Sequence, residues 1–114
     1  MTNHTKPETA NRITANIIRA VNLTPGAAAT RLNNTGVWDE KKQVFRGSRM
    51  TKGIADVLIC FRGRYIEVEV KAGKDKLSLH QLARKQEIER AGGVYFEARS
   101  TEAFCTFWEN YRQG

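Results

Sequence analysis

Residues 54–71 constrain the fold more than any other stretch. Ile54–Phe61 and Tyr65–Val70 are two β-branched, apolar runs separated by Arg62-Gly63-Arg64, the pattern of a β-hairpin. In the second run Ile66, Val68 and Val70 alternate with Glu67, Glu69 and Lys71. Side chains alternate across a strand, so the two sets face opposite ways. With Arg62-Gly63 as a two-residue turn, Phe61 faces Arg64 and paired positions sum to 125. Val57 then meets Val68, Ile59 meets Ile66, and Asp56 lies opposite Glu69. One face is apolar, and the other gathers Asp56, Glu69 and Lys71. A loop two residues longer would pair Asp56 with Lys71 and keep the faces. A slip of one residue would put Asp56 among the valines, against the hydrophobic pattern.

Directly opposed side chains have Cβ atoms about 5 Å apart, where two carboxylates repel by about 3 kcal/mol at an effective dielectric of about 20. Lys71 offsets part of this, and a divalent cation offsets more, since hard cations take carboxylate oxygens as ligands. A cation held there would polarise a phosphodiester, activate a water and stabilise the leaving oxygen, with Lys71 near the water or the developing charge. The competing reading is a surface ion-pair cluster on a solvated sheet face, worth little.

Around the hairpin, Thr5-Lys6-Pro7-Glu8 has the spacing of a capping box, and Ile13, Ile17 and Val21 follow at intervals of four. These predict a helix over 6–22 that stops at Thr24-Pro25-Gly26. In 27–53, Asn33-Asn34-Thr35-Gly36 signals a turn, and Val37-Trp38 and Val44-Phe45 are candidate strands. Ser78 and Gln81 form a second capping box, with Leu77 and Leu82 placed for a hydrophobic staple, so a helix is expected up to Gly92-Gly93. Val94–Ala98 reads as a strand. Phe104, Phe107, Trp108 and Tyr111 share one face of a last helix opened near Ser100, as a core stripe or a dimer surface. The expected fold is α/β, a central mixed β-sheet flanked by helices in αβββαβα order, and 114 residues support a single domain over 1–114.

Charge is concentrated. Residues 41–64 carry Lys41, Lys42, Arg46, Arg49, Lys52, Arg62 and Arg64 against Asp56 alone, six of the chain's seven net positive charges. Such a block is a phosphate-facing surface or a solvated face. Cys60 and Cys105 belong to no Cys-x-x-Cys pairing, which argues against a zinc site or a disulfide framework and leaves free, buried thiols as the expectation. No apolar run approaches the roughly 18 residues of a spanning helix, and Met1–Glu8 is polar where a signal peptide is apolar. A soluble cytoplasmic protein with no membrane partner is expected.

Gly53-Ile54-Ala55-Asp56, followed thirteen residues on by Glu69-Val70-Lys71, resembles the split signature of the PD-(D/E)xK nuclease superfamily. The chain is more narrowly similar to the VRR-NUC family, through Arg31-Leu32-Asn33-Asn34-Thr35-Gly36, Gly73–Gln81, Gly92-Gly93 and Val94-Tyr95. The similarity covers roughly residues 31–105, and Ala55 stands where the family often has proline. The resemblance implies a restriction-endonuclease-like fold and Mg2+- or Mn2+-dependent cleavage of DNA phosphodiesters. Asp56, Glu69 and the Val70 carbonyl would be metal ligands and Lys71 the catalytic lysine.

Members of the superfamily often add a carboxylate from the first helix, for which Glu8 is the candidate unless it only caps that helix. Gln81 matches the family's glutamine after the lysine while also completing a capping box. His80 reads as an exposed helix residue or a general base. Arg31, Asn33, Lys41, Lys42, Arg46, Arg49, Lys52 and Lys74 are the candidate DNA contacts. Small stand-alone members look like phage or prophage enzymes and resemble Holliday-junction resolvases in acting as dimers, which implies four-way-junction DNA in a bacterial or phage-infected host cell. Symmetric cutting of a junction needs two sites on a twofold axis, hence a homodimer. A nickase, flap or restriction-type nuclease is the alternative, and a non-catalytic basic DNA-binding accessory protein is the alternative of another class.

Overall fold

The computed structural model describes residues 7–32, 37–46 and 51–114. Its elements are α1 (Ala10–Asn22), β1 (Ala27–Arg31), β2 (Val37–Asp39), β3 (Val44–Arg46), β4 (Val57–Phe61), β5 (Arg64–Val70), α2 (Leu79–Arg90), β6 (Val94–Ala98) and α3 (Thr101–Gln113). β4 and β5 form the expected hairpin in the expected register, from Val57 opposite Val68 to Phe61 opposite Arg64. Arg62 and Gly63 both have positive φ, 50° and 82°, as a turn matching the right-handed twist of a hairpin requires. The Arg62 amide donates to the Gly26 carbonyl at 3.0 Å, which ties the turn to the start of β1.

The main sheet has the order β1-β4-β5-β6. β1 and β5 are antiparallel to β4, and β6 is parallel to β5, reached through α2. A separate ribbon pairs β2 with β3. On one face of the sheet α1 and α3 bury Ile13, Ile17, Val21, Phe104 and Trp108 against Val57, Ile59, Ile66, Val68 and Val70. On the other, Ile88 of α2 packs with Ala55 and Tyr95, and Leu77 leans on them. The aromatic stripe of α3 is core and core edge: Phe104 and Trp108 are buried, and Phe107 and Tyr111 pack at the margin. Among the described residues no helix is long and apolar enough to cross a membrane.

Several expectations change. The αβββαβα order is two strands short, since five strands lie between α1 and α2. Val37-Trp38 and Val44-Phe45 both form strands. β1, Ala-Ala-Ala-Thr-Arg, was hidden because alanine has little β propensity, and it forms by pairing along β4. α1 starts at Ala10, not near residue 6, because the Thr9 hydroxyl accepts the Arg12 amide as N-cap. Thr5 lies outside the described residues. The staple does not form as expected, since Leu77 joins the small cluster while Leu82 is exposed. The Cys60 thiol is exposed and Cys105 half-buried, not buried. Cys60 lies on the α2 side of the sheet, and α2 packs over β6, leaving that part of β4 open.

Candidate active site

The open end of the hairpin brings Asp56, Glu69 and Lys71 together. Asp56 immediately precedes β4, and its carbonyl accepts the Leu32 amide at 2.7 Å, fastening it to the end of β1. Its carboxylate Oδ2 accepts the Val70 amide at 3.0 Å, so the side chain crosses to the last residue of β5. Glu69 Oε2 accepts from the Gln81 amide at 2.9 Å and lies 3.5 Å from Lys71 Nζ. The Lys71 amide donates to the Ala98 carbonyl, holding the strand end against β6.

Gln81 makes two sets of contacts, one to its own helix cap and one to Glu69. Its backbone amide donates to Ser78 Oγ and its side-chain oxygen accepts the Ser78 amide, completing the capping box of α2. The remaining N–H reaches Glu69.

The cluster is not a solvated sheet face. Glu69 is 4% exposed. Burial first, and the charge of Asp56 second, push its carboxyl up to about 7, against the opposing pull of Lys71. Beside it, burial and the surrounding carboxylates of Glu69, Glu67 and Asp56 raise the Tyr95 phenol, whose O–H donates to the Gly53 carbonyl at 3.2 Å. A carboxyl near 7 carries a definite stability sign. The unfolded group loses its proton near 4.5 while the folded one keeps it to about 7. The contribution is therefore fully present below about pH 4.5 and lost as pH rises through 7. Metal-free protein is predicted to lose stability from pH 5 to 8, and Glu69→Gln to flatten that slope, as read by urea denaturation across the range.

Gly53 shapes the loop that delivers Asp56. It has φ +81°, and a Cβ there would lie 2.1 Å from the His80 carbonyl oxygen in the first turn of α2. Only glycine accommodates both the left-handed backbone and that approach. Gly53→Ala is therefore predicted to destabilise the fold by about 2–3 kcal/mol or to displace the loop. An unchanged denaturation midpoint with an unchanged Asp56 amide resonance would contradict this packing.

Glu8 goes elsewhere. Its two oxygens accept from the Thr101 amide at 2.9 Å and the Thr101 hydroxyl at 2.5 Å, bonds that hold its carboxyl below the usual range. It ties the segment before α1 to the start of α3. Among the described residues no group of three or more His, Cys, Asp or Glu side chains is gathered for a metal, so Asp56 and Glu69 stand as a pair that Glu8 does not join. His80 is exposed, and its carbonyl, not its ring, faces the loop.

The basic block is divided by the fold. Arg31 ends β1 opposite Val57, exposed and bonded to Asn11 at 2.7 Å. Lys52 and Lys74 are exposed on the loops on either side of the hairpin's open end. Lys41 and Lys42 are exposed on the turn between β2 and β3, and Arg46 ends β3. Asn33 and Arg49 lie outside the described residues. Arg62 and Arg64 sit at the hairpin turn, six residues or about 20 Å along the strand from Asp56. There they lie over the Phe61 and Tyr111 rings. Residues 41–64 therefore do not form one surface.

One group escaped the sequence reading. Glu67, fully buried, accepts Arg84 Nη2 at 2.6 Å, the Tyr65 hydroxyl at 2.6 Å and the Ala55 amide at 3.2 Å. Its position two residues before Glu69, on the same strand face, was the available signal. No family model matches this chain, and no curated protein matches it.

Proposed function

We propose that the chain is a divalent-metal-dependent DNA endonuclease of restriction-endonuclease-like fold, selective for branched DNA, with the four-way junction as substrate. The observation that carries the reading is the pairing of Asp56 with a buried Glu69 whose carboxyl is raised to about 7, beside Lys71 at 3.5 Å. A buried acidic pair costs stability, and a merely DNA-binding surface gains nothing from it, since carboxylates repel phosphate.

The donor set fits a hard cation: two carboxylates, with the Val70 carbonyl as a further oxygen. Bound there, Mg2+ or Mn2+ would supply Lewis-acid activation of the phosphodiester and of water. The chain's own groups do the positioning. The Val70 amide orients Asp56, Gln81 orients Glu69, and the Lys71 ammonium places a positive charge where the attacking water or the developing phosphorane charge would lie. Arg31, Lys52 and Lys74, all exposed, would hold phosphates, contacts that position the duplex without reading bases. Two such sites on a twofold axis would cut a junction symmetrically, so the working unit is a homodimer.

The test incubates labelled four-way junction, flap, nicked and linear duplex DNA with the protein in Mg2+. Paired symmetric cuts in the junction alone support the full reading. Cleavage of the other forms keeps the nuclease and removes the junction. Binding without cleavage, tightened by Asp56→Ala, would replace the reading with a DNA-binding accessory protein.

A further inference from the structure

Three chain segments build the proposed site: β5 with Glu69 and Lys71, the loop over 51–56 with Asp56, and the first turns of α2 with Gln81. Glu67 touches all three. It stands on β5 two residues before Glu69, is 0% exposed, and faces α2 with Glu69. Its Oε1 accepts the backbone N–H of Ala55 at 3.2 Å, one residue ahead of Asp56. Both oxygens take Arg84 of α2, with Nε at 3.3 and 3.1 Å and Nη2 at 2.6 Å. Arg84 lies three residues after Gln81, hence on the same face of the helix. The Tyr65 hydroxyl donates to Oε2 at 2.6 Å and fills its remaining capacity. The bonds are divided by atom: the oxygen nearer the loop takes the Ala55 amide, and the other takes the phenol and the guanidinium tip.

We infer that Glu67 is a positioning residue for the Asp56–Glu69 site, fixing the backbone ahead of Asp56 directly and the helix that carries Gln81 through Arg84. It acts on the cation site of the proposed nuclease, and to that extent rests on that reading. A fold-stabilising ion pair alone would need no bond to the Ala55 amide. That bond extends the clamp from the helix to the loop that presents Asp56. Residues that orient metal ligands from outside are worth about 10–100-fold in metal affinity or activity when replaced.

The experiment compares wild type with Glu67→Gln. The amide keeps one acceptor oxygen and turns the other into an N–H donor, so it cannot accept from Ala55 and from Tyr65 and Arg84 together, and the clamp between loop and helix is broken with little change of volume. Three quantities are read on full-length protein: Mn2+ affinity by calorimetry without DNA, kcat and KM for junction cleavage, and hydrogen exchange of the Ala55 and Asp56 amides. Expected are Mn2+ binding weakened about tenfold or more, kcat lowered by a similar factor, KM changed by less than about twofold, and faster exchange at both amides. A folded Glu67→Gln with wild-type Mn2+ affinity, kcat and amide exchange overturns the inference. If that variant does not fold, Arg84→Lys, which keeps the charge and loses the fork, is read by the same criteria. If wild type neither binds Mn2+ nor cleaves DNA, the nuclease reading fails. The exchange result then still decides whether Glu67 holds the Asp56 loop.

Discussion

Glu69→Gln is expected to lower phosphodiester cleavage by roughly a thousandfold or more, the rate equivalent of the several kcal/mol that a catalytic cation contributes. The same substitution is expected to stabilise the metal-free protein at pH 8. Both effects come from one change. The neutral amide oxygen holds a cation with Asp56 far more weakly than a carboxylate does, and the change removes a buried carboxyl that burial and Asp56 hold near 7. Asp56→Ala should lose cleavage to a similar extent. It should leave junction affinity in EDTA at the wild-type value, because the proposed phosphate contacts are Arg31, Lys52 and Lys74, which are exposed, and not Asp56. A catalytic loss accompanied by lower stability at pH 8 would point to damage to the fold instead.

Arg84→Met is expected to cost about 3–5 kcal/mol of folding stability, because it leaves Glu67 buried without its counter-charge. The Tyr65 hydroxyl and the Ala55 amide remain as donors to it, but neither carries a charge. Replacing both partners, as Glu67→Gln with Arg84→Met, should recover much of the loss, since the desolvated charges then disappear together. Urea denaturation of the two variants at pH 7 checks this. A loss below about 1 kcal/mol for Arg84→Met would show the pair to be worth no more than an exposed salt bridge.

The hairpin was legible to the residue because its information is local. Alternation chose the faces, Arg62-Gly63 chose the turn, and together they set Val57 against Val68 and left Asp56 and Glu69 at the open end. Local signals also placed the Ser78–Gln81 cap and the Phe104–Tyr111 stripe. What escaped depends on tertiary partners. Three consecutive alanines give no strand signal, and β1 exists because β4 offers it an edge. Nothing in the alternation of β5 says that a helix will cover its polar face, so the burial of Glu67 was not legible. Glu8 fitted a capping box in the linear text, yet the fold carries it to Thr101, 93 residues away. The positive run over 41–64 looked continuous, but a strand inside it separates Arg62 and Arg64 from the loops that flank Asp56.

The most direct test of a cation held between Asp56 and Glu69 for DNA cleavage is one assay of junction DNA with wild type and Glu69→Gln, each in Mg2+ and in EDTA at pH 8. The account predicts cleavage by wild type in Mg2+ alone, with all four reactions binding the junction. Cleavage that survives EDTA, or that Glu69→Gln retains at the wild-type rate, would contradict it.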